Sequence, residues 1–310
     1  MQKKGYADSE LQELRTGGII KQKQKDYFIL RTRIPGGYLK ADILKNYSVL
    51  AKKYGRGYVH VSTRQGIEIP WIHIKNIPKL LKGLKKLGIL KGACGPRSRN
   101  LIACPGSSVC RFGLVNTEEL ARKLDRVAFG RDVPKKFKVA ISGCLNSCAK
   151  PQENDLGFLA QGEPELDMDK CIGCTLCAKV CEKVCGRGKR EPAIVMDNNK
   201  RPVALAKGGQ TTALRPVYRK ENCLFEGDCI RVCPVNAWKL KKAGFAVYIG
   251  GKVGRFPKFG EKIADFINEL ELPKIIENTV RCYNRIAETG VRFGEALEKQ
   301  DIDLIKKEIL

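Results

Sequence analysis

Apolar positions in residues 27–33 form a β-prone run that stops at the turn Pro35-Gly36-Gly37, after which Ile43, Leu44, Tyr47, Leu50, Ala51 and Tyr54 recur at helical spacing. Residues 58–63 alternate as a half-buried strand does, and a second apolar run covers 67–70. Asn76 stands where a helix cap is expected, with Pro78 in the first turn and Leu80, Leu81, Leu84 and Leu87 along one face. Residues 1–90 therefore predict strand, helix, strand, helix, an α+β half-domain.

Asn116 followed by Glu119 has the form of a capping box and predicts a helix to about residue 127. Residues 137–142 predict a strand that runs straight into Cys144. The pattern then breaks. Residues 165–238 hold eight of the fourteen cysteines in short, turn-rich segments, whereas 244–310 return to a strand at 245–249 and amphipathic helices. The expected organisation is an N-terminal half (1–90), a second domain built from 91–164 and 239–310, and an insertion at 165–238.

Fourteen cysteines against two histidines, His60 and His73, change the picture. No run approaches the roughly eighteen apolar residues of a membrane span, and Lys, Asp and Glu stud the first 25 residues, so a cytoplasmic chain without a signal peptide is expected. Reducing surroundings argue against a disulfide framework, and so few imidazoles favour all-thiolate metal sites over Cys/His zinc fingers. The formal charge of +25, from 58 basic and 33 acidic residues, would by itself suggest a polyanion such as nucleic acid. That count treats every Cys as neutral, and no basic stripe interleaved with aromatics is present, so no nucleic-acid partner is expected.

Cys171, Cys174, Cys177 and Cys181 have the bacterial ferredoxin spacing, in which three thiolates wrap one cubane and the fourth reaches a second. The other half is Cys223, Cys229 and Cys233, the last followed by Pro234; by this logic Cys233 completes the first cluster and Cys181 the second. Glu226 occupies the position of the missing middle cysteine. The spare Cys185, ligation by Glu226 through oxygen, a three-iron cluster and absence of that cluster all remain open. Such an insert carries single electrons and names no substrate.

Outside the insertion, Cys104-x5-Cys110 and Cys144-x3-Cys148 place four thiolates on two loops, which suits a further cubane. These two motifs resemble the cluster signature of the sulfite and nitrite reductase family. The flanking Arg31-Thr-Arg33-Ile-Pro-Gly-Gly, Ser62-Thr-Arg64-Gln65-Gly66, Arg99-Asn100 and Lys136-Phe-Lys138 extend the resemblance over nearly the whole chain, and the insertion makes it most similar to the siroheme-bearing catalytic branch of the anaerobic sulfite reductases.

The resemblance implies a ferredoxin-like half joined to a siroheme and 4Fe-4S domain, with the two-cluster ferredoxin domain inserted. It implies that Cys148 bridges the 4Fe-4S cluster to siroheme and that Arg31, Arg99, Lys136 and Lys138 surround the oxyanion. Arg64 would contact siroheme, with Asn100 and Arg33 beside it. The implied reaction is the six-electron reduction of sulfite to sulfide, supplied by partner subunits carrying flavin and further Fe-S clusters. Physical chemistry supports a cationic site, because siroheme carboxylates and a sulfite dianion both need Arg forks or Lys charges to offset desolvation. Strand alternation puts Lys136 and Lys138 on one face and Phe137 on the other.

Larger relatives contain two copies of this architecture, and one copy here carries both the basic residues and the cysteines. A homodimer or higher oligomer, or a pairing with a related subunit, that builds each site from two chains is therefore expected. Nitrite reduction to ammonium is the nearest rival, and a non-catalytic electron carrier is the rival from another class. Cys94 and Cys282 read as ordinary thiols.

Overall fold

In the computed structural model, residues 7–197, 199, 201–204 and 210–310 are described. The first layer is an antiparallel sheet in the spatial order Ile19–Lys21, Tyr27–Arg31, Ile67–His73, His60–Val61. Phe28, Leu30, Ile69 and Ile72 point from it onto helices Ala41–Tyr54 and Ile77–Lys86, which contribute Tyr47, Leu50, Ile77, Leu80 and Leu84 to a shared core. Two local expectations change. The 58–63 strand shrinks to His60–Val61, both exposed, because it lies at the sheet edge. Asn76 makes no side-chain cap; a preceding turn, capped by His73, sets the entry to the helix instead.

The second layer is a five-stranded mixed sheet in the order Glu261–Ile267, Trp238–Ile249, Leu156–Leu166, Val139–Ser142, Ile102–Ala103. Its last two pairings are parallel, with helix Thr117–Ala128 in the crossover between Ile102–Ala103 and Val139–Ser142. That helix starts as expected, the Asn116 side chain accepting from the Glu119 N–H at 3.3 Å. Glu119 does not complete the box, because its carboxylate pairs with Lys123 at 2.7 Å.

The long hairpin of this sheet differs most from expectation. Trp238–Ile249 has twelve residues, extending well before 245, and Glu261–Ile267 is a strand where a helix was expected. Lys239, Lys241 and Lys242 interrupt the apolar pattern at the start of the first strand, yet backbone pairing with Leu156–Leu166 orders it. Leu166 and Trp238 are register partners, so the chain leaves and re-enters this hairpin at one point, and the described residues between them extend from its tip. That segment has its own small core of Cys177, Ile194, Cys229 and Trp238.

Candidate active site and cysteine sites

The parallel strands carry different chemistry at their two ends. Arg99 and Asn100 precede Ile102–Ala103, and Lys136 and Lys138 precede Val139–Ser142; Cys104 and Cys144 follow the same two strands. Ala103 and Ile141 are register partners, so both cysteine loops leave at the carboxyl ends, the usual place for ligands in such sheets.

At the other end lies a cavity of 680 Å³ lined by Arg15, Arg31, Arg64, Arg99, Lys135, Lys136 and Lys138, with no acidic side chain in its wall among the described residues. Arg31 is aimed by Glu68, whose carboxylate accepts from it at 2.7 Å and meets His60 at 2.9 Å. Lys136 and Lys138 both reach the cavity while Phe137 is fully buried opposite. Arg64 spends both terminal nitrogens on the protein, donating to Asn154 at 2.9 Å and to the Asn100 carbonyl at 2.8 Å, and its Nε is buried without a partner among the described residues. Asn100 answers by donating to the Arg64 carbonyl at 2.6 Å. Arg99 donates to the Gly95 carbonyl at 2.9 Å and leaves Nη1 buried and likewise unpartnered. Two buried guanidinium nitrogens without acceptors are what a cavity built for an anion leaves behind.

Crowding of like charges away from water shows in the titration of these groups. Burial first, then Arg64, Arg292 and Lys136, push the Lys138 ammonium down to about 8, against the pull of Asp155. Lys136 is lowered by burial and by Arg292 and Arg99, and Arg64 is lowered to about 10, mainly by burial.

Arg33 does not join this group. Its guanidinium pairs with buried Asp125 at 3.1 Å and stacks 3.7 Å over the Phe129 ring, and it does not line the cavity. Conversely, Cys94 is no ordinary thiol by position. It lines the cavity, and although burial, the largest single influence, raises its pKa, Arg99, Arg31, the Gly95 backbone and Arg15 together lower it overall. Arg15, Lys135 and Cys94 carried no local signal; only the convergence of distant segments reveals them.

None of Cys104, Cys110, Cys144 and Cys148 lines the basic cavity, and Cys148 is exposed. The four are mutually close enough that Cys104, Cys110 and Cys148 each raise the Cys144 thiol, after the larger effect of its burial. The Gly143 N–H donates to Cys104 Sγ at 3.0 Å. Gly106 at φ 68° lets the first loop press onto the start of helix Thr117–Ala128, where any Cβ would sit 2.2 Å from Thr117 Oγ1. Ser147 and Lys150 hold left-handed backbone on either side of Cys148, at φ 55° and 52°. Conformations of this kind persist where the surroundings over-determine a loop.

In segment 165–238, Cys171, Cys174, Cys177 and Cys233 line one cavity, and Cys181, Cys185, Cys223, Glu226 and Cys229 a second. Backbone N–H groups donate to Cys181 Sγ from Ile194 at 3.3 Å, to Cys223 Sγ from Phe225 at 3.3 Å, and to Cys233 Sγ from Ala237 at 3.2 Å. The second cavity's loop packs toward the sheet loops: Gly227 faces Leu114 and Arg231 lies 5.2 Å over the Phe112 ring, just beyond Cys110.

The family described as the nitrite and sulphite reductase 4Fe-4S domain matches residues 94–310, and the nitrite/sulfite reductase ferredoxin-like half domain matches residues 20–87. The chain belongs to the nitrite and sulphite reductase family. Over 305 residues it is 33% identical to the coenzyme F420-dependent sulfite reductase of Methanocaldococcus jannaschii, covering 94% of this chain and 45% of that protein. It is 30% identical over 190 residues to a subunit of the anaerobic sulfite reductase of Salmonella typhimurium, covering 53% of this chain and 55% of that one. The chain thus spans about half the length of these two relatives. Its fold matches the crystal structure of a dissimilatory sulfite reductase at TM-score 0.71 and 17% identity, over 91% of this chain and 69% of that chain. Membership implies siroheme together with a 4Fe-4S cluster. Among the described residues, no helix of this family member is long and apolar enough to cross a membrane.

Proposed function

We propose that this chain is the siroheme-bearing catalytic chain of an anaerobic sulfite reductase, reducing sulfite to sulfide. The observation that carries the reading is the cavity walled by seven cationic side chains and, among the described residues, no carboxylate, in which Arg64 Nε and Arg99 Nη1 are buried and unpartnered. A polycarboxylate tetrapyrrole and an oxyanion both fit that donor set, Arg64 and Asn100 standing ready for the former and Arg31, Arg99, Lys136 and Lys138 for the latter. When bound, siroheme and its cluster supply single electrons to the substrate's sulfur.

The chain's own residues supply the rest. Arg31, held by Glu68, and Arg99, held by the Gly95 carbonyl, fix the anion's orientation without having to reorganise. Lys138 offers a proton from Nζ as oxygens leave as water, and its ammonium, softened to about 8, is suited to giving one up near neutral pH. Cys104, Cys110, Cys144 and Cys148 would hold the 4Fe-4S cluster. A second copy of the chain would bring exposed Cys148 to the basic cavity, giving a site composed from two protomers. Segment 165–238 would act as a ferredoxin domain receiving electrons from flavin and Fe-S partner subunits.

An anaerobic preparation assayed for iron, acid-labile sulfide and siroheme absorption, then for sulfide formed from sulfite with an artificial reductant, tests this. Siroheme bands with sulfide production are expected. A colourless chain, or one that turns nitrite into ammonium and leaves sulfite untouched, overturns the sulfite reading.

A further inference from the structure

The ferredoxin pattern in the insertion is one thiolate short, because Glu226 stands midway between Cys223 and Cys229 where the first half has Cys174 between Cys171 and Cys177. We propose that Cys185 supplies the missing ligand, so that Cys181, Cys185, Cys223 and Cys229 hold a complete four-iron cluster and Glu226 holds none of it. This rests on the reading of 165–238 as an electron-carrying insertion and names the ligand set of its second site.

Helix Leu176–Arg187 carries Cys177, Cys181 and Cys185 at intervals of four residues, so all three share one face. The first turns to one cavity; the other two line the second. Cys185 Sγ lies 4.0 Å from Cys181 Sγ, and the residue is 2% exposed. Cys223 and Cys229 line the same cavity. A thiol buried so deeply among three other thiols has its place explained by ligation better than by packing.

The Glu226 loop is committed elsewhere. Arg231 donates to the Glu226 carbonyl at 2.9 Å and also pairs with Asp228, two residues further on, which pins the loop backbone. Iron in a sulfide cluster prefers soft thiolate to carboxylate oxygen. Cys185 thus reaches the cavity from the helix side, opposite the loop that lacks its cysteine.

The test uses the full chain, loaded and handled anaerobically, with iron and acid-labile sulfide per chain and the EPR spectrum as readouts. Cys185→Ser is expected to lose iron, showing a three-iron signal or loss of that cluster, while Glu226→Gln matches wild type. Glu226→Cys placed in the Cys185→Ser chain restores the conventional spacing and is expected to return the iron, which also shows that the variant chain folds. With selenocysteine introduced at position 185, selenium-edge absorption is expected to show an iron neighbour. Iron lost in Glu226→Gln but kept in Cys185→Ser overturns the proposal, as does iron kept in both. If Cys171→Ser and Cys223→Ser remove no iron from the chain, the electron-carrying reading of the insertion fails as well.

Discussion

Arg292 Nη2 donates to both carboxylate oxygens of Asp155 at 2.9 Å, in a pair from which water is almost wholly excluded. Asp155 also accepts the backbone N–H of Lys138 at 3.0 Å, so one buried ion pair fixes the strand start that aims a lysine into the basic cavity. Burial dominates the carboxyl and raises its pKa; Arg292 and Lys138 oppose that.

Breaking this pair from one side leaves a charge in the core. Arg292→Met is expected to cost about 3–5 kcal/mol, read as a lower urea midpoint. Adding Asp155→Asn to it removes the stranded charge and should recover much of the loss. An unchanged midpoint in the single variant would show that the pair contributes no stability.

Arg33 and Arg31 separate structure from binding. Arg33→Ala strips buried Asp125 of its counter-charge and should lower thermal stability while leaving sulfite affinity unchanged. Arg31→Ala, at a cavity wall, should weaken sulfite binding roughly ten- to hundredfold, the worth of a lost hydrogen bond to a charged group. Equal effects of the two on binding would place Arg33 back in the site.

For Lys138 the sign follows from a pKa lowered from the usual lysine range to about 8: the cation is present below that pH and is lost above it. Turnover should therefore fall as pH rises through about 8. Lys138→Arg keeps the charge but holds its proton, so it should retain KM, lose much of kcat and abolish that limb of the profile. A limb that survives the substitution assigns the titration to another group.

Cys94 should alkylate faster than Cys282, whose thiol is pushed up to about 11, chiefly by burial. Sulfate filling the cavity should slow the Cys94 reaction without affecting other thiols, as followed by peptide mass spectrometry. No protection by the anion would mean that Cys94 is reached from outside the cavity.

A site composed from two chains predicts complementation. Protomers carrying Arg99→Ala and protomers carrying Cys148→Ser should each be inactive alone and regain part of the activity when mixed oligomers form. Mixed oligomers that assemble yet stay inactive would confine each site to one chain.

Locally encoded features were legible without a fold. The thiolate spacings of 104–110, 144–148 and 171–181 can be read because ligands three to six residues apart are placed by their own loop, and Asn116 announces a helix because a cap acts within one turn. Lys136 and Lys138 both reach one cavity, as alternation along a strand predicts, although the strand is interrupted at Lys138, between Lys136–Phe137 and Val139–Ser142. Glu261–Ile267 and the lysine-rich start of Trp238–Ile249 were not legible, since strand pairing with distant backbone outweighed their local pattern.

The cysteine motifs, the basic residue types beside them and the family they resemble are all readable from the order of residues, because each depends on close neighbours along the chain. Folding was needed to bring Arg15, Cys94 and Lys135 to one cavity with Arg99, to turn Arg33 away to Asp125, and to set Cys185 across another cavity from Cys223. Which charges face each other, and which are sealed from water, is set by segments far apart in the chain packing together, and no local pattern records that distance.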